Sequence, residues 1–109
     1  MTINHKHYLD LAFHLAEKNL GQTKLNPSVG TVIVKNGSVI SSGVTSFNGR
    51  PHSEVNALKS LKNCSGATLY TTLEPCTHYG KAPPCTNFII KKKIKNVFYA
   101  FEDPDIRTY

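Results

Sequence analysis

The dipeptide Asn36-Gly37 sits between two β-branched runs, residues 29–34 and 38–44, and constrains the fold more than any other short stretch. A two-residue type I′ turn requires positive φ at both central positions, and Asn-Gly meets that requirement at low steric cost. The two runs are therefore expected to pair as an antiparallel hairpin. The flanking segments follow a different period. Over residues 4–20, Tyr8, Leu9, Ala12, Phe13, Ala16 and Leu20 recur at three- and four-residue steps, which lays one apolar stripe along a helix, and Gly21 is a natural stop. After the hairpin, a loop containing Asn48-Gly49 and Pro51 leads into a helix over 53–61, with Val55, Leu58 and Leu61 on its apolar face. A strand over 68–73, a helix over 85–92 with Phe88 and Ile89 inward, and a strand over 96–101 complete the pattern. The expected class is α/β with a mixed sheet that starts with an antiparallel hairpin, and a length of 109 residues makes 1–109 a single domain.

Lysine and arginine number 13 against 7 aspartates and glutamates, a formal net charge of +6, so the surface should attract anions such as phosphorylated metabolites or nucleic acid. Much of the excess lies in Lys91, Lys92, Lys93 and Lys95 near a helix end, where cations complement the helix dipole; no function is assigned to that run. Aromatics interleaved with basic residues, as single-strand binding wants, are not evident, so nucleic acid is not the expected partner. Three cysteines with no signal peptide ahead of them argue against a disulfide framework and for a reducing, cytoplasmic setting. No apolar run approaches the roughly 18 residues of a membrane span, so no membrane partner is expected. Cys64 lacks a neighbouring ligand at metal-site spacing and reads as an incidental thiol, and His5, His7 and His14 read as ordinary helix histidines.

The chemistry concentrates in Pro51-His52-Ser53-Glu54, Pro75-Cys76 and Pro84-Cys85. One imidazole and two thiols make three zinc ligands. A structural zinc normally takes four, so the set suits a catalytic Zn2+ with one open position. Glu54, two residues from His52, is then the proton carrier. His52 is expected just outside the helix that starts at residue 53, with Glu54 in its first turn, where unpaired N–H groups and the dipole favour negative charge. Cys76 should lie past the carboxyl end of strand 68–73, where open α/β sheets bind ligands, and Cys85 should open the next helix. His-x-Glu followed by Pro-Cys is the pattern of zinc-dependent nucleobase deaminases.

Three stretches taken together, Asn26-Pro27-Ser28-Val29-Gly30, Pro51-His52-Ser53-Glu54-Val55 and the run from Thr72 to Cys85, resemble the deaminase domain of bacterial riboflavin biosynthesis protein RibD, within the cytidine and deoxycytidylate deaminase superfamily. Nucleic-acid and nucleoside deaminases often close the site with Pro-Cys-x-x-Cys; the eight-residue spacer here, with His78-Tyr79-Gly80-Lys81 and Pro83-Pro84-Cys85, is similar to RibD instead. The resemblance implies a three-layer α/β/α cytidine-deaminase-like sandwich and hydrolytic deamination of 2,5-diamino-6-ribosylamino-4(3H)-pyrimidinone 5′-phosphate. It makes His52, Cys76 and Cys85 the zinc ligands, Glu54 the proton shuttle, and Asn26, His78 and Lys81 the substrate contacts, with Asp103 as a support of the pocket. It also implies a homo-oligomer and a reductase for the next step, either fused or separate. No second strand set or dinucleotide glycine pattern is present, and the family domain normally continues past Asp103-Pro104 with another helix and strand. Thr45 stands where the family usually carries a histidine, and a hydroxyl supplies neither its charge nor its ring. Two rival functions are deamination of another pyrimidine or a nucleic-acid base, and a catalytically inactive zinc-binding subunit.

Overall fold

The structure is a computed structural model that describes residues 4–23, 27–62, 64–75 and 85–101. Its elements run α1 (His5–Glu17), β1 (Gly30–Lys35), β2 (Ser38–Val44), α2 (Ser53–Leu58), β3 (Thr68–Leu73), α3 (Cys85–Lys91) and β4 (Asn96–Phe101). The strands form one sheet in the order β2-β1-β3-β4; β1 is antiparallel to both neighbours, and β3 is parallel to β4. The hairpin closes as its sequence dictates. Lys35 pairs with Ser38, and Asn36 and Gly37 take φ of 52° and 78°. The pairing slips between Ile33 and Val34, so that Ser41 and Val39 are their partners and Ile40 is the extra residue of a bulge in edge strand β2.

Burial along β1 shows why the fold has three layers. The strand is covered on both faces, and its side chains alternate between two separate apolar clusters. Val32 and Val34 join Tyr70 of β3 and Ala12 of α1, with Tyr8, Leu9, Leu11, Leu15 and Phe98 packed around them. Ile33 joins Leu69 of β3, Ala57 and Leu58 of α2 and Ile89 of α3. One helix therefore covers one face of the sheet and two helices the other, the expected α/β/α sandwich. Two glycines allow the close approach. A Cβ on Gly30 would lie 1.8 Å from the carbonyl oxygen of Ala12 in α1, and a Cβ on Gly43 would lie 2.5 Å from that of Ser53 in α2.

The expected helices run longer than the observed ones. α1 ends at Glu17, three residues before the expected limit, and Leu20 is left 64% exposed beyond it. α2 ends at Leu58 rather than residue 61, where the Lys92 ammonium donates to the carbonyl of Leu61 and ties the chain to the end of α3. That lysine also lies over the ring of Phe88, so one member of the basic run is a structural fastening as well as a charge. Cys64 is a free thiol, as expected, and it is fully buried among Ile33, Ala57 and Leu58, so it also packs the core. Burial pushes its pKa up, opposed by Lys92 and Lys35. His5, as expected, is structural. Its ring stacks on Phe98, and its Nδ1 lies 2.6 Å from the hydroxyl of Tyr70, whose own pKa is raised by burial and then by Tyr8.

Candidate active site

The site starts at the loop that follows β2. Asn56 of α2 reaches back into it, its side-chain amide donating to the carbonyl of Val44 at 2.8 Å, to the Ser46 hydroxyl at 2.9 Å and to the carbonyl of Pro51 at 3.3 Å. One side chain thus ties both ends of the loop to the helix. The Arg50–Pro51 peptide bond is cis, and His52 follows as the N-cap of α2 with extended backbone angles of −69° and 164°. Its carbonyl accepts the Asn56 amide at 3.1 Å, while its ring stays outside the helix. This is the placement expected from the sequence.

Across the site, α3 begins at Cys85. The Cys85 sulfur lies 3.4 Å from Nδ1 of His52, although the two residues are 33 apart in the chain. Glu54, in the first turn of α2, is 4% exposed, and its Oε1 accepts the Ser53 hydroxyl at 2.9 Å. A carboxylate so buried next to a helix N-terminus is held by hydrogen bonds and the local dipole rather than by water. Imidazole and thiol thus meet at the starts of α2 and α3, and the Glu54 carboxylate belongs to the same first turn of α2 that His52 caps. Cys76, Asn26, His78, Lys81 and Asp103 lie outside the described residues. Among the described residues, no group of three metal-ligating side chains is complete.

Thr45 has a use that the sequence comparison with histidine did not suggest. It is 1% exposed, its hydroxyl accepts the backbone N–H of Val29 at 2.9 Å, and its own N–H donates to the Val29 carbonyl at 3.0 Å. Asn19 donates to the Thr45 carbonyl at 2.7 Å. The residue therefore fastens the segment that enters β1 to the segment that leaves β2. Asn56, Ser53 and Thr31 also escaped sequence reasoning, because short polar side chains in a strand or helix carry no spacing signal until their partners are known. An apolar groove of about 290 Å3 lies between the end of α1 and the strand ends, lined by Phe13, Leu20, Pro27, Leu73 and Phe101 among others. Its lining does not include His52, Glu54 or Cys85.

The chain belongs to the family described as the cytidine and deoxycytidylate deaminase zinc-binding region, which it matches over residues 2–101. Within that class the resemblance to RibD is borne out. The riboflavin biosynthesis protein RibD of Aquifex aeolicus is 50% identical over 101 residues, covering 92% of this chain and 28% of its own length. RibD of Bacillus amyloliquefaciens is 46% identical over 101 residues, with 92% of this chain and 27% of its own covered. The crystal structure of a diaminohydroxyphosphoribosylaminopyrimidine deaminase/5-amino-6-(5-phosphoribosylamino)uracil reductase from Thermotoga maritima superposes with a TM-score of 0.91 at 41% identity, covering 96% of this chain and 31% of that one. The chain thus spans less than a third of the length of these proteins. The mixed four-stranded sheet with helices on both faces is the cytidine-deaminase-like fold of that structure.

Proposed function

We propose that the chain is the deaminase part of the riboflavin pathway's pyrimidine deaminase, hydrolysing the exocyclic bond between a ring carbon and the amino nitrogen of 2,5-diamino-6-ribosylamino-4(3H)-pyrimidinone 5′-phosphate and releasing ammonia. The observation that carries the reading is the meeting of His52 and Cys85 at 3.4 Å, with the buried Glu54 two residues after His52 in the first turn of α2. The pair fits the zinc that the family description names. Tetrahedral zinc with one nitrogen at about 2.0 Å and one sulfur at about 2.3 Å sets those two donors about 3.5 Å apart, and the observed separation is 3.4 Å. His52 and Cys85 would be two ligands and Cys76 the third, with one position open. Zinc bound there would lower the pKa of a water to about 7. Glu54 takes a proton from the attacking water and delivers one to the departing amine. The helix N-termini at Ser53 and Cys85 stabilise the negative charge that gathers between them.

Asn26, His78 and Lys81 are proposed as substrate contacts, with Lys81 as a point charge for the phosphate or a polar ring edge. The net charge of +6 favours such an anionic substrate. Thiolate ligands favour a reducing cytoplasm. Among the described residues no helix is long and apolar enough to cross a membrane. A reductase, fused or separate, would act next, as the bifunctional deaminase/reductase of Thermotoga maritima suggests. A homo-oligomer is proposed, as the family resemblance implies.

The test is ammonia release from the pathway pyrimidine, from cytidine and from single-stranded oligonucleotides, with zinc measured on the same sample. Turnover of the phosphorylated pyrimidine alone supports the assignment. Turnover of cytidine or oligonucleotide instead replaces it with another deaminase, and stoichiometric zinc without ammonia from any of them replaces it with an inactive zinc-binding subunit.

A further inference from the structure

Behind Glu54 lies a row of hydroxyls that the proposed reaction does not by itself require. Ser53 Oγ donates to Glu54 Oε1 at 2.9 Å and lies 2.7 Å from Thr31 Oγ1, which in turn is 3.2 Å from Thr71 Oγ1. The row leads from the first turn of α2 through β1 to β3, and Ser53, Thr31 and Thr71 are all fully buried. Valine has the shape of threonine and carries no polar atom into the core, so apolar burial alone would favour it at positions 31 and 71. The threonines instead turn their hydroxyls toward one another, in line with the serine that holds the carboxylate. Thr31 and Thr71 are cross-strand partners, so the sheet register itself fixes the far end of the row.

We propose that Ser53 is a positioning residue that acts through Glu54, and that Thr31 and Thr71 are its support. By holding Oε1, the Ser53 hydroxyl sets the rotation of the carboxylate about its last torsion and so aims the second oxygen. A glutamate side chain has a broad final torsion, and proton transfer needs the carboxylate oxygen within hydrogen-bond reach of both the water and the amine. The inference rests on the reading of Glu54 as the proton carrier.

The experiment compares Ser53→Ala, Thr31→Val and Thr31→Ser with the unaltered chain, measuring zinc content, kcat and KM for the pathway pyrimidine, and the crystal structure of Ser53→Ala. Ser53→Ala is expected to keep its zinc and its KM, and to lose on the order of 10- to 100-fold in kcat, the scale of a misplaced reacting group. Thr31→Val should lose kcat in the same direction to a smaller degree, and Thr31→Ser, which keeps the hydroxyl, should restore it. Unchanged kcat in Ser53→Ala, or equal kcat in the two Thr31 variants, overturns the proposal. Should Ser53→Ala fail to fold, the two Thr31 variants decide. An unaltered chain that releases no ammonia refutes the functional reading instead. The positioning role is then judged by the Glu54 carboxylate in Ser53→Ala crystals, where a turned or split carboxylate supports it and an unmoved one overturns it.

Discussion

Replacing Gly43 with alanine probes the joint between the sheet and helix α2. The new Cβ would lie 2.5 Å from the carbonyl oxygen of Ser53, 2.6 Å from the amide nitrogen of Ala57 and 3.0 Å from the carbonyl carbon of Asn56. All three are backbone atoms, so no side chain can rotate away. Ordinary contact begins near 3.5 Å, so α2 must retreat from β2 by roughly 1 Å. Overpacking of this kind costs about 1–3 kcal/mol, which in a domain of about 100 residues lowers Tm by about 4–8 °C for each kcal/mol. The retreat also carries away His52 and Glu54, and a displacement of about 1 Å can cost on the order of 100-fold in rate. Thermal unfolding, zinc content and ammonia release on one preparation measure all three effects. Gly37→Ala is the control. Its Cβ meets nothing within 4 Å, but its φ of 78° makes an L side chain strained, so it should lose about 1–2 kcal/mol of stability and no activity. A Gly43→Ala protein with unchanged Tm and unchanged turnover would refute the claim that close α2–β2 contact positions the site.

Glu54→Gln should keep zinc and lose ammonia release, whereas Cys85→Ser should lose zinc as well; metal analysis beside the activity assay checks both, and an active Glu54→Gln protein removes Glu54 from its proposed role. Stability should fall in alkali through Cys64. Burial raises the folded thiol's pKa above its ordinary value of 9.0, so the folded state holds the proton more tightly; its contribution is fully present below about pH 9 and is lost as pH rises through the folded value. Urea midpoints between pH 7 and pH 10 measure the decline, which should be smaller in Cys64→Ala. Tyr70→Phe removes the partner of His5 Nδ1 and should cost about 1 kcal/mol by denaturant titration, with ammonia release unchanged.

Much of this fold is legible in the chain because its signals are local. Asn36-Gly37 with a β-branched run on each side requires the hairpin, and the strands at 68–73 and 96–101 were readable to the residue, as runs rich in β-branched and aromatic side chains. Helix ends were less legible. The apolar period continues through Leu20 and Leu61, while the helices stop sooner and those residues fall in turns. Burial of Cys64 was not legible, since a cysteine in a turn has no periodic neighbours to declare it part of a core.

By itself, the sequence determined the hairpin, the alternation of helices and strands, and the inventory of imidazole, thiols and carboxylate, because each follows from neighbours a few residues apart. It also placed His52 at the threshold of α2, for Pro51 and the following helix leave it little alternative. Only the tertiary structure brought Cys85 to 3.4 Å from His52 across 33 residues, set Thr45 to fastening Val29, and lined up Ser53, Thr31 and Thr71 behind Glu54. These are contacts between elements. They depend on sheet register and on the two helices that Gly30 and Gly43 admit against the sheet, and no local spacing encodes them.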